Sequence, residues 1–143
     1  MNYPEVKNKR IARLMAMQLL YAIEISGDGI ARALPMVLEG LNPDDVQKSY
    51  GLKLAEIVIA QQERIDSLLT PRLANWSFER LAILDKILLR LGVAEMQNCP
   101  EVPAVVVLSE MTNIAKKFST ENSASFVNGV LETFFKEIQP QTR

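Results

Sequence analysis

The side chains best suited to do chemistry in this sequence are cations, and they gather at its start. Residues 1–13 hold Lys7, Lys9, Arg10 and Arg13 against Glu5 alone, a local charge of +3. The whole chain carries −1, so the rest carries −4, which describes a local anion site and not a basic surface all round. A solvated, frayed terminus would leave the same charge pattern. On a helical wheel of about 100° per residue, Arg10, Met17 and Tyr21 share an arc of about 40°, with Arg13 about 60° from Arg10. Ile11, Met15, Leu19 and Ala22 point elsewhere, towards a core. A strip of guanidinium and phenol suits single-stranded nucleic acid, because cations follow phosphates and a flat ring stacks on a base. An ordinary exposed face with Tyr21 half-buried fits the wheel equally well.

Covalent chemistry finds little to work with. The sequence has no histidine, which removes Ser-His-Asp and Cys-His arrangements and the usual nitrogen ligand of catalytic zinc. Among six glycines there is no phosphate-cradling loop. The paired carboxylates Asp44 and Asp45 follow Asn42-Pro43 and read as a helix start. The single Cys99 cannot form an internal bridge and fits a reducing compartment. No secretory leader and no run of about 18 apolar residues is evident, so a soluble cytoplasmic chain is expected. The expectation is a non-enzymatic protein with no cofactor and no metal.

The elements that would position these groups are helices, since apolar residues recur at helical period and strand-like alternation is nearly absent. A first helix is predicted over 8–25, ending at Ser26-Gly27-Asp28-Gly29, and a second over 30–38, which Pro35 makes short or kinked or lets start only at the proline. A third starts at Asn42-Pro43-Asp44-Asp45, with Pro43 in its first turn, and runs towards Thr70-Pro71. Trp76 is expected to pack where two halves meet, 1–75 and 76–143. A fourth helix over 77–97, broken near its start, a fifth from Pro103 to Phe118 and a last one after a loop at 119–123 complete the chain. The fold class expected is all-α, two three-helix bundles packed together, with about seven helices in one compact unit.

Other residues stand off the apolar stripes. Phe126 lies at the margin of the stripe of Val127, Val130 and Phe134, with Lys116 and Lys117 across the preceding loop. It reads as a second stacking platform or as core. In the fourth helix Leu84, Ile87, Leu88 and Leu91 form the buried stripe. Asp85 and Leu89 lie on its flank, with Glu79 earlier, so this flank either meets a partner or is simply solvated. Glu95 falls on the apolar side, where a carboxylate is expected to be tied to backbone or a cation. Gly129 suggests a close helix approach.

Three blocks in order resemble the NusB family: Lys9-Arg10-Ile11-Ala12-Arg13 with Gln18, Leu20 and Tyr21; Trp76-Ser77, Arg80, Asp85 and Leu88-Leu89-Arg90-Leu91-Gly92 with Glu95; and Pro103, Val106 and Glu110 leading into Ile114-Ala115-Lys116-Lys117-Phe118, Thr120-Glu121-Asn122-Ser123 and Phe126-Val127-Asn128-Gly129-Val130-Leu131. The last block is the most specific. Ser109 stands where the family usually has asparagine, Ala94 where an aromatic is common, and Pro35 is unusual. The resemblance implies two three-helix bundles packed at about a right angle. It also implies a complex with NusE, a ribosomal small-subunit protein, that binds boxA RNA in nascent ribosomal transcripts and acts indirectly on the RNA polymerase elongation complex. It places Lys9, Arg10, Arg13, Tyr21 and Phe126 on the RNA side, to which charge adds Lys7, Lys116 and Lys117, and it places Glu79, Asp85 and Leu89 on the side that meets NusE. Two alternatives stay open, a purely protein-binding helical adaptor and a homodimer with its RNA face masked.

Overall fold

Side-chain capping marks the starts of two helices. The computed structural model describes residues 3–74 and 77–138, with side-chain surroundings from residue 9 onward. Trp76 and the Lys7 side chain therefore lie outside the described residues. The elements are α1 (Tyr3–Ser26), α2 (Ile30–Leu41), α3 (Asp45–Leu69), 3-10 turns at Thr70–Arg72 and Phe78–Arg80, α4 (Ile83–Asn98), α5 (Ala104–Phe118) and α6 (Glu121–Glu137). The all-α expectation holds, with six α-helices and two 3-10 turns among the described residues.

Asp44 caps α3: its side chain accepts from the Gln47 amide at 2.8 Å, while the Gln47 side chain accepts from the Asp44 amide at 2.8 Å. Pro43 thus precedes the cap and is not in the first turn. Thr120 caps α6 through Ser123, which shortens the expected loop at 119–123. Helix α2 runs unbroken through Pro35. Proline there removes the bond to the Ala31 carbonyl, and both residues are exposed, so water can take its place. Asn42 closes α2 in the left-handed region at φ 48.

Helix α1 packs against α2, α3 and α4. Helix α4 in turn packs against α3, α5 and α6, and every residue from Ile87 to Met96 is buried. A helix apolar nearly all round belongs inside, which corrects the placement of Leu89 on an open flank: it is fully buried and cannot meet a partner directly. Helices α4 and α6 approach closely at Gly92, where a Cβ would lie 2.6 Å from Leu131 Cδ1 and force that buried side chain to shift. Nothing lies within 4 Å of a Cβ at Gly129, so the close approach expected there falls at Gly92 instead. Polar ties fasten the groups as well. Arg90 donates to both oxygens of Asp66 at 2.8 and 2.9 Å and lies 4.9 Å above the Phe78 ring, joining α3, α4 and the second 3-10 turn.

Candidate nucleic-acid interface

Arg10 and Arg13 lie three positions apart on α1, about 60° around the helix, and meet different surroundings. Arg13 points between α1, α4 and α5 and is fully buried. Its Nε and Nη2 donate to the two oxygens of Glu95 at 2.8 and 2.7 Å, and its Nη1 donates to Glu110 at 3.2 Å. Burial opposes the guanidinium charge, but the bonds and charges of Glu95 and Glu110 outweigh it and hold the pKa of Arg13 above its ordinary value. Arg13 was expected on the RNA side; the structure corrects this, because a residue without exposed surface is not available to a phosphate. Glu95 is the carboxylate tied to a cation that its apolar position required. Its Oε2 also accepts from the Tyr50 hydroxyl at 2.7 Å, and burial followed by the Glu95 charge pushes the Tyr50 pKa up.

Arg10 turns outward. Its side chain is 52% exposed, and its Nε donates to both oxygens of Glu110 at 3.2 and 3.1 Å. It lines a groove of about 240 Å³ together with Asn113, Lys117 and Phe118. Phe118 also borders a larger groove of about 680 Å³, walled by Met17, Gln18, Tyr21 and Met36 from α1 and α2 and by Ala82 and Ile83 at the start of α4. Ala82 in turn borders a cleft of about 180 Å³ that contains Arg80, Asp85, Asn122, Ser123 and Phe126. Shared walls thus join the three depressions into one track, from Arg10 and Lys117 past Phe118 and Tyr21 to Asp85 and Phe126.

The sequence-selected residues divide accordingly. Arg10, Lys117, Tyr21, Asp85 and Phe126 line the track. Lys9 is directed to α3, with its Nζ 5.2 Å from the centre of the Tyr50 ring. Lys116 is exposed and faces Glu121 at 3.7 Å, and Glu79 is exposed and accepts from the Ser77 hydroxyl at 2.8 Å. Phe118 borders both the 680 and the 240 Å³ grooves and is 45% exposed with the Lys117 Nζ 5.7 Å from its ring centre; its place in the track was not read from sequence. The available signal was a large ring after two lysines at a helix end, Lys116-Lys117-Phe118.

Asp85 is buried on the floor of the third cleft. Its Oδ2 accepts from the Ser123 hydroxyl at 3.2 Å, while Oδ1 is buried with no hydrogen-bond partner among the described residues. Burial raises its pKa, and the Ser123 bond offsets part of that rise. No group of three potential metal ligands and no helix long and apolar enough to cross a membrane occurs among the described residues.

The track thus holds Arg10 and Lys117 beside Glu110 at one end, rings along its middle, and Arg80 and Asp85 with Phe126 at the other, all on a helical scaffold. The NusB family model matches residues 10–136, so the chain belongs to the NusB family. It is 35% identical over 137 residues to the transcription antitermination protein NusB of Chloroherpeton thalassium, covering 92% of this chain and 63% of that protein. With the namesake of Listeria monocytogenes serotype 4a it shares 39% identity over 129 residues, 90% of this chain and 97% of that protein. The fold matches a chain in the crystal structure of antitermination factors NusB and NusE in complex with double-stranded RNA, with a TM-score of 0.83 and 28% identity, covering 91% of this chain and 97% of that one. The family is one of transcription antitermination factors rather than enzymes.

Proposed function

We propose that this chain works in the cytoplasm as an RNA-binding antitermination factor, engaging single-stranded boxA-type RNA together with NusE in support of ribosomal RNA transcription. The observation that carries this reading is the continuous track from Arg10 and Lys117, past Tyr21 and Phe118, to Phe126. Arg10 and Lys117 offer cations to phosphates, and the three rings offer stacking surface to unstacked bases. Asp85 lines the cleft at the other end, and Glu79 is the exposed neighbour of Arg80, which lines the same cleft; there NusE would dock and extend the RNA surface. The solved complex that resembles this chain holds both NusE and RNA, which supports the pairing. The halves 1–75 and 76–143 act as one unit in this reading, because the Arg13–Glu95 pair and the Arg90–Asp66 pair cross between them. Action on RNA polymerase is indirect, through the assembled protein–RNA complex.

Few cations line the track, so affinity for RNA should be modest for the chain alone, rise with NusE and fall steeply with salt. Titration of a labelled boxA-type RNA and a scrambled control, with and without NusE, tests this. Preferential binding of boxA-type RNA that strengthens with NusE is expected. No RNA binding in either setting would leave a purely protein-binding adaptor.

A further inference from the structure

We propose that Glu110 is a positioning residue that aims Arg10 at the RNA backbone, anchored from inside the protein by Arg13. The proposal rests on the RNA reading above.

An exposed arginine normally samples many rotamers and loses that freedom when it binds. Arg10 is restrained although half its side chain is in solvent, because its Nε donates to both oxygens of Glu110. Glu110 is itself only 5% exposed and is not free to swing, since its Oε1 also accepts from Arg13. Arg13 is held by two bonds to Glu95, and Glu95 by the Tyr50 hydroxyl. The Arg10 guanidinium is therefore the open end of a chain of charged groups whose interior is fixed. Engagement through Nε leaves the two terminal nitrogens without a hydrogen-bond partner among the described residues. Those nitrogens form a pair of donors matched to two oxygens of a phosphate.

Charge and position make opposite forecasts for this residue. Glu110 sets a negative charge beside the path of the phosphates, so on charge alone its loss should tighten RNA binding. If it positions Arg10, its loss should weaken binding. Glu110→Gln has nearly the same shape but removes the charge and one of the two acceptor oxygens, so Arg10 loses its second bond and both arginines are left with one neutral oxygen. Glu110→Asp keeps the charge and withdraws it by one methylene, separating charge from reach.

The experiment measures affinity of the full chain with NusE for a boxA-type RNA at fixed salt, with circular dichroism and thermal unfolding as fold controls. It uses the wild type, Arg10→Ala, Glu110→Gln, Glu110→Asp and each Glu110 variant combined with Arg10→Ala. Each Glu110 variant is expected to weaken binding about three- to tenfold when Arg10 is present and to cause no further weakening when Arg10 is absent. Tighter binding by Glu110→Gln, or an equal loss with and without Arg10, would overturn the positioning role. Should Glu110→Gln fail to fold, Glu110→Asp carries the same comparison. If Arg10→Ala alone leaves affinity unchanged, the RNA reading of Arg10 falls and the proposal with it. If Arg10→Ala weakens binding but neither Glu110 variant does, only the positioning role falls.

Discussion

The polar cluster inside the molecule and the charged pairs on its surface use the same residue types to different ends. Arg13 and Glu95 meet at 2.7 Å with no exposed side-chain surface, whereas Lys116 and Glu121 meet at 3.7 Å with side chains 62% and 79% exposed. In water such a pair contributes little, because solvent screens it and two long side chains must be ordered. In the interior each charge has lost its hydration and depends on its partner, so removing one leaves the other stranded. Cations that can reach an RNA backbone therefore come from the outer set, and the inner set serves by holding helices and neighbouring side chains in place.

The largest expected effect follows from that contrast. Glu95→Ala takes both of its oxygens from Arg13 and the acceptor from Tyr50. It should destabilise the fold by about 3–5 kcal/mol, read as a lower denaturant midpoint. A loss no larger than that of Lys116→Ala, which should leave the midpoint unchanged, would erase the distinction between the two regions.

A smaller effect of opposite sign is expected at Asp85. Its carboxyl pKa is raised in the fold by burial, partly offset by Ser123, so the fold disfavours the ionised form. For a carboxyl raised in this way the cost is present above the folded pKa and disappears as pH falls below the unfolded value. Asp85→Asn should thus raise Tm at neutral pH by about one to four degrees. That advantage should shrink as pH is lowered through the carboxylate range. An Asn variant less stable than wild type at neutral pH would show that the charge is compensated by something other than Ser123.

Periodicity made the helices legible, and capping chemistry such as Asp44 with Gln47 marked their starts. The candidate site was legible only in part. Arg10, Tyr21, Lys117 and Phe126 could be picked out because cations and rings off an apolar stripe stand out on a wheel. Arg13 was misplaced because a wheel separates one face from another but does not say how many faces a neighbour covers. Helix α1 is covered by α2, α3 and α4, which is a property of how distant segments pack. The same applies to Leu89, although the unbroken apolar run Leu91-Gly92-Val93-Ala94 after Leu88-Leu89 carried a hint of burial all round. Phe118 escaped because only the meeting of α1, α4 and α5 turns the end of α5 into a wall between two grooves.

The central claim is that RNA follows the track, and photocrosslinking tests it most directly. A boxA-type RNA substituted with 4-thiouridine, irradiated with the chain and NusE and mapped by peptide mass spectrometry, should give adducts at Tyr21, Phe118 and Phe126. Adducts confined to the exposed part of α3 around Ile59 and Glu63, which do not line the track, would contradict the account.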